Sequence, residues 1–189
     1  MLTLLKNSEY KKQFWKNGKG TTLQIAIFPE NAEVSNNHFL WRISSASVHS
    51  SGPFSLYLGF ERQLIVWKGQ GLILNSVPLL PCTPLTFSGE TEIQADLIND
   101  EHVIDLGIIY NKNKIHSSLF VQKFLNDSII KLEPGWHFIF LAEGASCLIK
   151  NIKIKTGDSL RVDNNKILHL PTKIQNQVTL FIISLKLIE

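Results

Sequence analysis

Apolar and polar residues alternate along most of this chain with a period of two. Leu23, Ile25 and Ile27 alternate with Thr22, Gln24 and Ala26, and Phe39, Trp41 and Ile43 alternate with Leu40, Arg42 and Ser44, so each stretch presents two distinct faces. Short β-rich runs with turn residues between them recur at 63–68, 72–75, 91–97 and 103–110. The second half repeats the habit at 115–122, 137–142, 145–150, 152–155, 160–162, 167–170 and 178–187. No stretch of twelve or more residues carries a helical stripe. Many short strands at this spacing predict an all-β sandwich or barrel.

A weak internal repeat refines that expectation. The block LIVWKGQGLIL (64–74), followed by PLTF (84–87), has a counterpart in FIFLAEGASCL (138–148), followed by DSLRV (158–162). In each, an apolar strand enters a glycine turn, a second strand leaves it, and a third begins about a dozen residues later. Duplicated jelly-roll halves joined near Lys112 to Lys114 account for this; chance similarity between β-rich hairpins is the alternative. Duplication predicts two halves, 1–111 and 112–189, with the unusual polar residues and hence the site in the first.

Those polar residues stand in GPFSLYLGFERQLIVWKGQG (52–71). Counting back seven from Gly69 reaches Arg62, five more reaches Tyr57, and Ser55 lies two before it. The layout is similar to the metal-binding strands of a cupin barrel, where the corresponding places hold a glutamate and two histidines. Ser, Tyr and Arg cannot form a zinc, iron or manganese site, which wants imidazole, carboxylate or thiolate. They suit a small anion instead, in a bicupin without a metal site, and no cofactor is expected.

Composition narrows the function classes. At 189 residues and 44% hydrophobic, the chain can bury a substantial core. A net charge of +3, with 16 acidic residues interleaved among the basic ones, is too weak and scattered for a nucleic-acid partner. Cys82 and Cys147 form neither a disulfide framework nor a zinc motif, so a reduced cytoplasm is the simplest reading. Leu2 to Leu5 is too short for a signal-peptide core, and Val178 to Ile188 is about half a membrane span interrupted by Lys186, so no membrane association is expected.

The strings FWKNGKGTTLQIA (14–26), FLWRISSASV (39–48) and GPFSLYLGFERQL (52–64) resemble the HutD/Ves family, in order and at sensible spacing. The resemblance runs from about Tyr10 to about Tyr110. Several positions depart from it: Phe14 replaces a proline, Gln24 the usual glutamate and Glu61 an aspartate, and Asp105-Leu106-Gly107 stands where the family tends to have Asp-Phe-Asn. The resemblance implies a cupin-like regulatory protein that binds a small molecule, linked to histidine utilisation or stress response, more than a catalyst. Its ligand would come from histidine breakdown, such as formylglutamate or urocanate. Dimerisation through sheet edges is common in cupins and compatible with this chain.

Arginine usage gives the strongest argument for particular residues. Of 19 basic residues only Arg42, Arg62 and Arg161 are arginine, so lysine serves wherever a bare charge is enough. The planar guanidinium grips a carboxylate with two parallel hydrogen bonds, which lysine cannot do. Arg42 or Arg62 is therefore expected to bind a ligand carboxylate in the first barrel; the alternative is a buried salt bridge to Glu61, Asp96 or Asp105. Ser44 shares Arg42's face and Trp41 lies opposite, either stacking on a planar ligand or filling the core with Phe39 and Ile43. Lys16 and Asn17 stand in a glycine-rich loop that is either a ligand contact or a plain turn, and Gln24 keeps the hydrogen-bonding shape of a glutamate without its charge. The expected ligand-binding set is thus Lys16, Asn17, Gln24, Trp41, Arg42, Ser44, Ser55, Tyr57 and Arg62. A metal-free isomerase or lyase with Tyr57 as acid and Lys16 or Glu61 as base is a second reading, and a protein-interaction module a third.

Overall fold

The computed structural model describes residues 1–15, 18 and 20–188, with Asn36 described by its backbone alone. Its regular structure is β-strand, apart from three short 3-10 turns among the described residues. No helix among the described residues is long and apolar enough to cross a membrane. Strand β1 (Leu2–Leu5) is followed by β2 (Lys11–Phe14), β3 (Gly20–Phe28), β4 (Trp41–Val48), β5 (Gly52–Pro53) and β6 (Phe60–Lys68). Then come β7 (Leu72–Leu74), β8 (Val77–Leu79), β9 (Leu85–Ser88), β10 (Gln94–Leu97) and β11 (Val103–Asn111). The second half supplies β12 (Ile115–Phe124), β13 (Ser128–Leu132), β14 (Gly135–Glu143), β15 (Ser146–Ile149), β16 (Ile152–Lys155), β17 (Ser159–Asn164), β18 (Leu168–Lys173) and β19 (Val178–Leu187).

The chain divides into two compact units, Lys11–Ile115 and a second made of Met1–Tyr10 with the segment from His116 onward. The division differs from 1–111 and 112–189 at the N-terminus. Leu2 to Leu5 pair with Val162 to Ser159 on β17, and Leu2 and Leu4 pack on the core of the second unit. A four-residue strand carries no mark of a partner more than 150 residues away, so contiguity was the only guide.

Each unit is a pair of sheets. The first has a six-stranded sheet in the order β2-β3-β4-β11-β6-β9 and a four-stranded sheet β5-β10-β7-β8; the second has β1-β17-β14-β19-β12 and β13-β18-β15-β16. Strands β4 to β11 and β12 to β19 therefore follow one eight-strand plan, step for step. The match extends to single residues 75 positions apart. Gly69 and Gly144 share φ values of +94° and +96°, and an added Cβ would strike the carbonyl of His102 or Gln177. The pairing of β6 with β11 slips between Ile104 and Asp105, leaving Trp67 over, and that of β14 with β19 slips between Leu141 and Glu143, leaving Ala142 over. Asn75-Ser76 and Lys150-Asn151 are both two-residue turns at positive φ, the geometry that hairpin twist favours.

The glycine turns themselves are not hairpins, contrary to the expectation. They carry the chain from one sheet to the other, so β6 and β7 pair with different neighbours, as do β14 and β15. Only the following β7–β8 and β15–β16 links are tight hairpins.

The two cores differ. In the second unit one apolar cluster includes Ile139, Leu141, Leu180 and Ile182. In the first, one cluster holds Val48, Leu64, Val66 and Val103, and a separate one holds Ile27, Phe39, Phe60 and Ile109. Along β11, Val103 belongs to one and Ile109 to the other, with Asp105 and Gly107 between them on the same face.

Candidate functional site

A cavity of about 620 Å³ opens in the first unit where its apolar core is interrupted. Strand parity sets its floor. Arg42 on β4 and Arg62 on β6 both pair with Ile109 of β11, so two arginines flank one residue of the central strand. The next inward-facing row is Ser44, Gly107 and Leu64, and the one after it brings Ala46 beside Asp105. Phe54, Ser55 and Tyr57 form one wall, and Gln13, Phe14 and Trp15 another.

Both guanidiniums are held by neutral partners. Arg42 is 6% exposed and donates from Nε to Gln24 Oε1 at 3.0 Å and from Nη2 to Gln13 Oε1 at 3.2 Å. Arg62 donates from Nη1 to the Ser55 carbonyl at 3.1 Å and is wedged among aromatic rings, its Cζ 4.8 Å from the Phe54 centroid, 5.2 Å from Phe87 and 5.7 Å from Tyr57. Burial lowers the pKa of both, Tyr57 opposing in each case; at Arg62, Asp105 also opposes and Arg42 adds to the lowering. An arginine nevertheless stays protonated in proteins. The remaining N–H donors of both have no protein acceptor among the described residues.

Asp105 is the one carboxylate in the cavity lining, and it is 4% exposed. Burial pushes its pKa up to about 7, against the Ala46 N–H, which reaches Oδ1 at 3.3 Å, and the field of Arg62. Its other oxygen accepts no hydrogen bond from the described residues. The hydroxyls of Ser44 and Tyr57 likewise reach the cavity without a protein partner among those residues.

The salt-bridge alternative does not describe this arrangement. Among the described residues neither Arg42 nor Arg62 lies within 4.0 Å of a carboxylate, whereas Arg161 meets Asp163 at 3.1 Å. Glu61 accepts from Tyr110 Oη at 2.6 Å and is not part of the lining, which also removes it as a base in the cavity. Asp96 is exposed and bonded to Gln94. As for metal, no group of three or more His, Cys, Asp or Glu that could hold an ion occurs among the described residues. Two guanidiniums and one carboxyl are the wrong donor set for one, since a guanidinium does not ligate.

Of the expected residues, Arg42, Ser44, Ser55, Tyr57 and Arg62 line one cavity. Gln24 stands behind Arg42 as its acceptor. Trp41 is corrected: it is fully buried on the opposite face, its ring stacked on Phe28 at 5.8 Å, because adjacent strand residues point to opposite sides. Lys16 and Asn17 lie outside the described residues. Trp15 donates its backbone N–H to the Gly20 carbonyl and its indole N–H to Thr22 Oγ1. An added Cβ at Gly20 would lie 3.0 Å from that indole and 2.5 Å from the Ser47 carbonyl, so glycine is required there. Gln13, Phe54, Asp105 and Gly107 were missed as lining residues. Only Asp105, a charged residue inside an apolar strand, carried a signal that could have found it.

Relatives match this architecture. An uncharacterized 21.2 kDa protein in the hutC 3′ region of Pseudomonas putida is 32% identical over 123 residues, 62% of this chain and 63% of that protein. Protein Ves of Citrobacter koseri is 31% identical over 112 residues, 57% of this chain and 56% of that protein. The chain thus spans less than two thirds of the length of either curated relative. HutD from Pseudomonas fluorescens SBW25, in a formate condition, superposes with a TM-score of 0.82 at 25% identity, with the whole of both chains covered. The fold is cupin- and pirin-like: a bacterial pirin from Escherichia coli in complex with nickel(II) matches at 12% identity with a TM-score of 0.69 over 97% and 98% of the two chains. A cupin 2 conserved barrel domain protein from Leptotrichia buccalis matches at 13% with a TM-score of 0.58 over 96% and 100%. The HutD family pattern covers residues 7–182, so the likeness read over residues 10–110 extends through the second unit, and the chain belongs to the HutD family.

Proposed function

We propose that this chain is a cytoplasmic bicupin without a resident metal, which binds a small carboxylate in its first barrel and acts as a metabolic sensor or modulator. The observation that carries the reading is the pair of guanidiniums flanking Ile109, which share one cavity and leave donors without acceptors among the described residues. A guanidinium buried without a paired carboxylate costs several kcal/mol, and a bound carboxylate would offset that cost for the buried Arg42 and in part for the half-buried Arg62. Membership of the HutD family, together with a relative located in a hutC 3′ region, supports a ligand from histidine breakdown, formylglutamate or urocanate being the first candidates.

The test is a thermal-shift screen of metal-stripped protein against mono- and dicarboxylates, including these two, beside Arg62→Ala. A ligand at a hundred times its dissociation constant adds about 2.7 kcal/mol, a rise of roughly 5–11 °C in Tm for a chain of this size. That shift in the native protein and its loss in the variant is the expected result. A flat screen with a merely less stable variant would make Arg62 structural and favour a protein-interaction role. Turnover of a bound acid without added metal would favour the isomerase or lyase reading.

A further inference from the structure

We infer that Asp105 is the second anchor of the ligand: an acid gripped by Arg42 and Arg62 lies across the open floor at Gly107 and donates an N–H from its far end to the Asp105 carboxylate. This rests on the carboxylate-binding reading above and narrows the ligand to acids that also carry an amine, amide or imidazole N–H.

The strand register supplies the geometry. Ile109, Gly107 and Asp105 share the cavity face of β11, with the arginines bracketing the first and Asp105 four residues along. That is about 13 Å between Cα atoms at the rise of a strand, and the long arginine side chains shorten the span to the size of a small metabolite. Gly107 lies between, and packing does not demand glycine there. A Cβ would meet nothing nearer than Leu64 Cδ1 at 3.5 Å, and φ is not in the left-handed region. The missing side chain keeps the path between the anchors clear.

Asp105 supplies the chemistry. It is buried, it lines the cavity, and one of its oxygens has no donor among the described residues, while the other accepts only a long bond from Ala46. That oxygen is open to the cavity, so a ligand that displaces solvent there without supplying a donor leaves the acceptor unpaired, at a cost of about 1–3 kcal/mol. A ligand ending in an alkyl group would incur that cost, and one ending in a second carboxylate would add like-charge repulsion. An N–H removes the cost, and a cationic one also holds Asp105 ionised against the burial that pushes it up to about 7.

The experiment measures, by calorimetry on the intact chain, the affinities of three probe series of equal length: straight-chain monocarboxylates, ω-amino acids and α,ω-dicarboxylates. At the best-fitting length the ω-amino acid is expected to bind about tenfold or more tightly than its monocarboxylate. In Asp105→Leu that preference should vanish while the monocarboxylate still binds. Equal affinities of the two series at every length in the native protein, or a preference that survives in Asp105→Leu, would overturn the assignment of Asp105 and leave carboxylate binding standing. No binding in any series would remove both. Should Asp105→Leu fail to fold, an intermolecular nuclear Overhauser effect decides with native protein alone. Contact of the probe's terminal methylene with the Ala46 amide supports the placement, and contact with the Arg42 side instead refutes it.

Discussion

Arg62 and His137 occupy the same place in the two units, each on the strand that enters the glycine turn and each opposite a matched residue, Ile109 or Ser184. Their surroundings have diverged. His137 spends both ring nitrogens inside the protein, Nδ1 with Ser184 Oγ at 2.8 Å and Nε2 with the Glu133 carbonyl at 2.7 Å, and burial lowers its pKa. Arg62 leaves most of its donors facing a cavity. The neighbouring pair has changed in the same direction, since Asp105 and Gly107 correspond to Leu180 and Ile182, which belong to the apolar core of the second unit. One strand plan thus supports two interiors: the first cavity reaches the charged Arg42, Arg62 and Asp105, whereas the second unit has a cavity of about 540 Å³ bordered by His137, Ile182 and Ser184, while Leu180 stays in the aliphatic core. The difference shows that the plan is specified by turns and pairing, while the site is specified by a few inward positions.

The largest test of this contrast is Leu180→Asp, which copies Asp105 into the aliphatic core of the second unit. Leu180 is fully buried and does not line the cavity of its unit, so the carboxyl should cost several kcal/mol and lower Tm by roughly 10 °C or more in a calorimetric scan. Survival at near-native Tm would mean that the second cavity extends to Leu180.

Next in size is the exchange of roles between the matched residues. His137→Ala strands two hydrogen-bonding partners and should cost about 2–4 kcal/mol in denaturant unfolding without touching carboxylate affinity. Arg62→Ala should abolish the carboxylate-dependent rise in Tm. An equal loss of binding in both variants would break the distinction drawn here.

The two units should also respond to pH with opposite sign. Asp105 has a folded pKa raised from an unfolded value of about 3.9 to about 7, so the unfolded chain gives up its proton first as pH rises. Relative to Asp105→Asn, the native protein should therefore lose stability between pH 4 and 7, by at most about 1.4 kcal/mol per pH unit, with a flat difference on either side. His137 has a lowered folded pKa, so the unfolded chain takes up the proton first as pH falls. Relative to His137→Gln, stability should fall as pH drops below about 6.5. Melting curves of the three proteins across that range measure both slopes, and parallel slopes would refute one of the two environments.

The smallest effect on stability should come from Gly107→Ala. Its methyl makes ordinary contact with Leu64, so Tm should move by no more than about 2 °C, while affinity for a ligand crossing the floor falls. A variant with unchanged affinity would place the ligand elsewhere in the cavity.

Much of this was legible in residue order because period-two patterning and turn residues are local signals. The alternation through Leu23 to Ser44 reported strands, and the sparing use of arginine marked Arg42 and Arg62 in a chain that otherwise relies on lysine. Parity placed Ser44 with Arg42 and Trp41 opposite. It did not say which face held the cavity, because both faces of β4 are buried, Trp41 at 0% and Arg42 at 6% exposed. Gln13 gave no signal, since its role depends on Arg42 reaching it across β3.

The sequence by itself determined the strand content, the doubled plan and the scarcity of arginine, since these depend on neighbours within a few residues or on composition. Tertiary structure alone decided that Leu2 to Leu5 complete the second unit, that Arg42 and Arg62 flank a single residue, and that Asp105 faces the same space. Each of those facts is a pairing between residues far apart in the chain. Pairing depends on which edges meet and which faces bury most apolar surface, and no local pattern encodes that choice.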